Sequence, residues 1–183
     1  PPRVASRVTS RRGGAAGSAR WMPSPVRSAR GSAAASSRTA MRAQVEVLQT
    51  SDDVSMRLCH FLRDAAVRSI LAKGTFRFAV PGGSILKMLG KGEAEGVFDS
   101  VDWSKCTMGW VNHRSVPLDD ETSTEFKASG LFLDAWKARD LEVLSLDGTK
   151  DAEYEAARMA WLSRERAPEW DLMLIGMGLD GHV

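Results

Sequence analysis

Acidic residues are missing from the first 44 positions of this 183-residue chain, and so is lysine. The same stretch contains nine of the 25 basic residues, all arginine, among many serines and alanines. This composition is typical of an organellar transit peptide. Pro23 and Pro25 interrupt a continuous amphipathic helix, which favours a plastid over a mitochondrion, and the cytoplasm is a further alternative. We therefore predict that residues 1–44 are a disordered transit peptide; the alternative is a basic tail that binds an anionic partner.

Cysteine and long apolar runs are also scarce. The two cysteines, Cys59 and Cys106, are far apart and form no C-x-x-C pair, which argues against a disulfide framework or a zinc site. No run approaches the roughly 18 apolar residues that a membrane span needs, so no membrane partner is expected. After position 44, 16 basic residues face all 23 acidic residues, giving a net charge of −7. That balance predicts no nucleic-acid partner.

Strand and helix patterns alternate through residues 45–183, which we interpret as one domain. Strands are predicted over residues 44–49, 75–80, 106–111, 141–146 and 171–175, with a helical pattern between successive strands. A β-α-β order of this kind favours an α/β fold, with a doubly wound, mostly parallel sheet and helices on both faces.

The helical patterns also predict which side chains face the core. In the first helix, capped by Ser51, the inward residues are predicted to be Val54, Leu58, Phe61, Leu62, Ala65 and Ile70. In the helix over residues 125–138, capped by Ser123 or Thr124, they are Phe126, Leu131, Phe132, Ala135 and Trp136. The helix over residues 151–166 carries Tyr154, Ala157 and Trp161. Residues 91–104 are predicted to be a polar surface connection.

A glycine-rich loop follows the last predicted strand, a buried apolar run over residues 171–175. Gly176, Gly178 and Gly181 fall within six positions, and His182 comes next. Glycines allow a backbone to approach a ligand closely, and an imidazole accepts a proton near neutral pH. The spacing also satisfies G-x-G-x-x-G, but the helix and acidic residue that a dinucleotide site requires do not follow. A tight turn with an incidental histidine is the other alternative.

Two more strand ends are followed by residues suited to a phosphate. Gly82 and Gly83 separate the second strand from a helix that begins near Ser84, and such a turn exposes backbone N–H groups beside a positive helix dipole. A simple turn is the alternative there. The third strand leads to Asn112-His113-Arg114, where the planar guanidinium of Arg114 suits a phosphate. Asn112 cannot ionise and so cannot act as a base.

The run Gly176-x-Gly178-x-Asp180-Gly181-His182 closely resembles the signature of the 6-phosphogluconolactonase family, whose sister group is the glucosamine-6-phosphate deaminases. The Gly-Gly-Ser loop and the Arg-x-Val-Pro strand end match the same family in the same order. The resemblance implies hydrolysis of 6-phospho-D-glucono-1,5-lactone, with His182 as the general base and no metal or organic cofactor. It implies substrate or phosphate contacts by Gly82, Gly83, Ser84, Arg114, Gly178, Asp180 and Gly181.

The chain departs from the family pattern at two positions of the third strand end. Asn112 stands where the family usually has aspartate, and His113 where it has glutamate. Because the deaminases use that aspartate as a base, Asn112 disfavours deaminase chemistry and leaves a non-catalytic sugar-phosphate binder as an alternative. The chain stops one residue after His182, so we expect a C-terminally truncated form with weak or no activity.

Overall fold

The computed structural model describes residues 43–178, 180 and 181. The chain separates into two units, Pro1–Gln44 and Val45–Val183, and almost all described residues belong to the second. The predicted transit peptide therefore lies outside the described residues, apart from its last two positions, and stays a prediction.

Helical segments separate the strands along the described chain. In order they are α1 Ser51–Lys73, β1 Phe76–Val80, α2 Ser84–Ala94, a 3-10 turn Trp103–Lys105, β2 Cys106–Trp110, α3 Thr124–Ala128, a π-helical turn Ser129–Leu133, α4 Asp134–Lys137, β3 Glu142–Leu144, α5 Ala152–Arg166 and β4 Leu172–Met173.

The four strands form one parallel sheet in the order β3-β2-β1-β4. The chain moves outward from β1 through β2 to β3, and then returns past β1 to place β4 on the other side. Right-handed crossovers in these two directions put α5 on the sheet face opposite α2. The prediction of an α/β fold with a doubly wound parallel sheet is therefore confirmed. The direction of winding reverses between β1 and β4, where open α/β sheets usually bind ligands.

Aromatic side chains fill the core beside α2 and α4. The rings of Trp103 and Trp136 stack with centroids 4.0 Å apart, and Phe78, Phe98 and Phe132 pack around them. Trp136 is fully buried, and its indole N–H is satisfied by Glu93 at 2.7 Å. Truncating a buried aromatic side chain of this kind typically costs about 3–5 kcal/mol. Four of these five aromatics follow residue 97, so the core joins β1, which carries Phe78, to the segments that precede and follow β2.

The predicted first strand, over residues 44–49, is wrong. Residues 43–48 have no regular structure, and Val45 and Val47 are 87% and 89% exposed. Alternation of two valines is not sufficient because a strand also needs a neighbour, and β1 already pairs with β2 and β4. The helix that follows is confirmed, but Thr50 caps it rather than Ser51. Thr50 and Asp53 form a reciprocal capping box.

Several predicted core positions are also wrong. In α1 the buried residues are Ser55, Cys59, Leu62 and Ala66, whereas Val54 and Phe61 are partly exposed. Small side chains line this face because α1 packs closely on α2. The helix predicted over residues 125–138 contains the π-helical turn, which adds a residue and shifts the helical phase. Leu131 consequently turns outward, whereas Phe132 and Trp136 remain buried as predicted. Phe126, which precedes the turn, is also exposed, so its predicted core position is wrong.

The last helix and strand are less buried than predicted. Tyr154 and Trp161 of α5 are about half exposed, and Met173 and Ile175 are 47% and 55% exposed. Conversely, the predicted surface connection over residues 91–104 contains buried Phe98, Val101 and Trp103. Polar residues surround these three in the sequence, so the polar composition of the whole segment gave no indication that they are buried.

Candidate active site

A cleft of about 570 Å³ opens at the carboxyl ends of β1, β2 and β4. Its lining comes from Pro81, Gly82, Gly83, Ser84, Leu86, Val111, Asn112, His113, Arg114, Thr122, Thr124, Lys127, Ile175, Gly176, Met177 and Gly178. The loops that follow β1 and β4 separate at this point because the winding of the sheet reverses there. The cleft thus lies where the fold leaves room for a ligand.

The turn after β1 forms one wall of the cleft. Gly83 is the N-cap of α2 and has φ +82°, a conformation that glycine adopts without steric cost. Gly83 has no side chain with which to cap the first backbone N–H groups of α2. Those groups and the helix dipole therefore favour an anion beside Gly82, Gly83 and Ser84.

The segment after β2 is joined directly to this turn. The Val111 N–H donates to the Val80 carbonyl at 3.0 Å, which extends the pairing of the two strands by one step. The Gly82 N–H then donates to Asn112 Oδ1 at 3.0 Å. Arg114 is exposed and lines the same cleft. The structure thus brings Arg114 to the glycine turn, as expected of parallel strands that end at one sheet edge.

A second cation, Lys127 of α3, lines the cleft and was not found by sequence reasoning. The charges of Lys127 and Arg114 both act on Asp120: hydrogen bonds from Thr122 lower the Asp120 pKa most, and these two charges lower it further. Lys127 follows the N-cap Ser123 by four residues, so it lies one turn into α3 and on the same face of the helix as the cap. The four-residue spacing from the N-cap is the sequence signal that could have identified Lys127 as a cleft residue.

His113 lines the cleft and connects three of its neighbouring segments. Its Nδ1 accepts a hydrogen bond from the Leu146 N–H at 3.5 Å, and its Nε2 lies 3.5 Å from the Oγ of the buried Ser123. Burial lowers the His113 pKa, although the charge of the nearby Glu125 opposes this shift. Neutral His113 therefore connects the ends of β2 and β3 to the start of α3.

Glu125, which lies near His113, is a buried carboxylate. Lys137 and Ser145 both donate hydrogen bonds to it. Burial acts to raise the Glu125 pKa, but these two hydrogen bonds outweigh burial and hold the pKa below its usual value. A permanent negative charge therefore lies close to His113 without entering the cleft lining.

Acid should weaken the fold through His113. Because the folded state lowers the His113 pKa, the stabilising contribution is complete above the unfolded value of about 6.5 and is lost as pH falls below it. We expect urea unfolding between pH 8 and pH 5 to show a steeper loss of stability in the wild type than in His113→Gln, which does not titrate. Equal slopes for the wild type and His113→Gln would contradict this role.

The loop after β4 closes the third side of the cleft. Ile175, Gly176, Met177 and Gly178 line it, and the Gly181 N–H donates to the Gly178 carbonyl at 3.0 Å. Asp180 and Gly181 are exposed and lie beyond the cleft lining. His182, the predicted general base, lies outside the described residues, so its role stays a prediction.

Within residues 43–178, 180 and 181, no three His, Cys, Asp or Glu side chains gather in a way that would hold a metal ion. In the same part of the chain, no helix is both long enough and apolar enough to cross a membrane.

Comparison with known proteins identifies the family to which the chain is similar. The family described as glucosamine-6-phosphate isomerases/6-phosphogluconolactonase matches residues 49–183. A similar curated relative is 6-phosphogluconolactonase 3, chloroplastic, of Arabidopsis thaliana. It is 29% identical over 153 residues, which cover 76% of this chain and 47% of the relative. The chain thus spans about half the length of the curated relatives it matches.

Solved structures show the same fold. A 6-phosphogluconolactonase from Shewanella baltica has a TM-score of 0.62 at 22% identity, over 74% of this chain and 57% of the other. The enzyme from Trypanosoma brucei has a TM-score of 0.60 at 20% identity, over 77% of this chain and 62% of the other.

Proposed function

The chain belongs to the family of glucosamine-6-phosphate isomerases and 6-phosphogluconolactonases, and on this premise we propose that the protein hydrolyses 6-phospho-D-glucono-1,5-lactone. The product is 6-phospho-D-gluconate, and the pathway is the oxidative pentose phosphate pathway. One observation carries the proposal: Gly82, Gly83, Ser84 and Arg114 line the same cleft as the loop that leads to His182.

In this mechanism the phosphate lies at the start of α2. The N–H groups of the glycine turn donate to its oxygens, and Arg114 contributes a pair of parallel hydrogen bonds. Lys127 adds a second positive charge at the same end of the cleft. The lactone ring then extends toward Gly176 and Gly178, because these residues form the opposite wall.

His182 acts on the lactone carbonyl as a general base. It takes a proton from water, the oxygen of that water forms a bond to the carbonyl carbon, and negative charge develops on the carbonyl oxygen. Backbone N–H groups of the loop that begins at Gly178 stabilise that charge, although the Gly181 N–H is already used by the Gly178 carbonyl. The bond between the carbonyl carbon and the ring oxygen then breaks, and His182 returns the proton to the departing oxygen.

A non-catalytic sugar-phosphate binder is the second candidate, and Asn112 favours it. An aspartate in this position would be able to move a proton, whereas the amide of Asn112 accepts a hydrogen bond from Gly82 and cannot ionise. The same observation disfavours a deaminase. A non-catalytic binder does not require His182 to act as a base.

Turnover of the phosphorylated lactone by the intact protein, above spontaneous hydrolysis, tests the proposal. Arg114→Ala should raise KM roughly tenfold or more, since a hydrogen-bonded charge is lost, and Arg114→Lys should restore only part of the affinity. Arg68→Ala, which removes the same charge from an exposed position of α1 outside the cleft lining, is the control and should leave KM unchanged. An unchanged KM for Arg114→Ala would remove Arg114 from the phosphate site.

We also propose a plastid location, directed by residues 1–44. Support comes from the acid-free composition of this segment and from the chloroplastic name of a similar relative, although other relatives have names without that word. A fluorescent protein fused behind residues 1–44 should accumulate in plastids. Accumulation in mitochondria or in the cytoplasm would overturn the proposal.

A further inference from the structure

Asn112 occupies the point where the turn after β1 meets the segment after β2. Its Oδ1 accepts the Gly82 N–H at 3.0 Å, and that contact fixes the orientation of the amide because a backbone N–H can only donate. The Nδ2 atom of the same amide carries two N–H donors and points away from Gly82. Among the residues that the structure describes, it has no hydrogen-bond acceptor, and the side chain is exposed in the cleft lining.

The surroundings of Asn112 suit an anion. Arg114 and Lys127 line the same cleft, and the start of α2 adds the positive end of a helix dipole. A carboxylate at position 112 would also accept the Gly82 N–H, but its second oxygen would bring negative charge to this group of donors. Asparagine keeps the contact with the turn and replaces that negative oxygen by a donor.

We infer that Asn112 is a specificity-determining residue, whose Nδ2 donates a hydrogen bond to a phosphate oxygen of the ligand and favours the dianionic form of that phosphate. The inference rests on the proposed function for the presence of a sugar phosphate in the cleft. It assigns the departure from the family pattern at position 112 a role in binding rather than in proton transfer.

Calorimetric titration of the intact protein with 6-phosphogluconate and with inorganic phosphate tests this inference. Asn112→Asp keeps the acceptor for Gly82, removes the donor and adds a charge. Because a hydrogen bond to a charged group is lost, its Kd for both probes should rise roughly tenfold to a hundredfold. Ser115→Asp is the matched control: it adds the same charge to the same segment, outside the cleft lining, and should raise Kd by much less.

The charge of the ligand gives a second measurement. A phosphate monoester loses its second proton near pH 6, so the wild type should bind 6-phosphogluconate more tightly at pH 8 than at pH 5.5. Asn112→Asp should lose most of that gain. A residue that only holds the turn in place would leave the gain unchanged.

Two results would overturn the inference: an Asn112→Asp protein that binds both probes as tightly as the wild type, or equal effects of Asn112→Asp and Ser115→Asp. If Asn112→Asp does not fold, the affinity of Asn112→Ala for 6-phosphogluconate is compared at pH 8 and pH 5.5 instead. A gain in affinity at pH 8 as large as that of the wild type would contradict the role of Asn112 in binding the phosphate. Failure of the proposed function has a different result. The wild type would then bind 6-phosphogluconate without turnover, and the effect of Asn112→Asp on binding would remain.

Discussion

Replacing His182 with alanine in the intact protein is expected to lower kcat for the phosphorylated lactone by about 10²- to 10⁴-fold, the usual contribution of a general base. Binding should change little, because the phosphate contacts at Gly82, Gly83 and Arg114 are on other loops. Initial rates and the affinity for 6-phosphogluconate measure the two effects separately. Spontaneous hydrolysis of the lactone is subtracted in every assay.

His60→Gln is the control for this substitution. His60 lies on α1, outside the cleft lining, and its replacement should leave kcat unchanged. If His182→Ala turns over the lactone at the wild-type rate, another group is the base. If the wild type itself binds 6-phosphogluconate but shows no turnover above the background, the protein is a binder.

Much of the cleft was predictable because parallel strands end at one edge of a sheet. Gly82, Gly83 and Arg114 follow two predicted strands directly, and the structure brings them together with Gly178. Their roles in binding remain predictions. Lys127 was missed because the predicted start of its helix does not show where the preceding loop places that helix relative to the cleft.

The errors in the fold have a common physical origin. Local patterns do not show which partner a segment finds, and Val45 and Val47 therefore looked like a strand although no strand pairs with them. The π-helical turn after Ala128 similarly shifts the exposed face of a helix without any change in composition. Tertiary packing decides both cases, whereas the alternation of strands and helices, which determines the class of the fold, is visible in the sequence.

Tertiary packing also makes Gly148 a sensitive position. Gly148 has φ +72°, and a Cβ atom there would lie 1.9 Å from the carbonyl oxygen of Val116 and 2.7 Å from the nitrogen of Pro117. Both neighbours are backbone atoms, so no rotation of a side chain relieves the collision. We expect Gly148→Ala to lower the free energy of unfolding by about 2–5 kcal/mol, combining the cost of left-handed backbone with that of overpacking.

Gly74→Ala separates these two costs. Gly74 ends α1 with φ +81°, and a Cβ atom there would meet nothing within 4 Å. Its replacement should therefore cost only the backbone component, about 1–2 kcal/mol. Urea unfolding of the two variants gives the comparison. If Gly148→Ala costs no more than Gly74→Ala, the Val116 backbone yields easily and the close approach does not constrain the fold.

The collision at Gly148 should also affect ligand binding in the cleft, because Val116 is hydrogen-bonded to Arg114. The Val116 N–H donates to the Arg114 carbonyl at 2.9 Å, so a displaced Val116 moves the backbone that carries Arg114. Affinity for 6-phosphogluconate should consequently fall in Gly148→Ala, even where the variant is still folded, and remain at the wild-type value in Gly74→Ala. A destabilised Gly148→Ala protein with wild-type affinity would show that Arg114 keeps its position independently of this contact. The expected pairing of lost stability with lost affinity follows because Gly148 supports the Arg114 segment without lining the cleft.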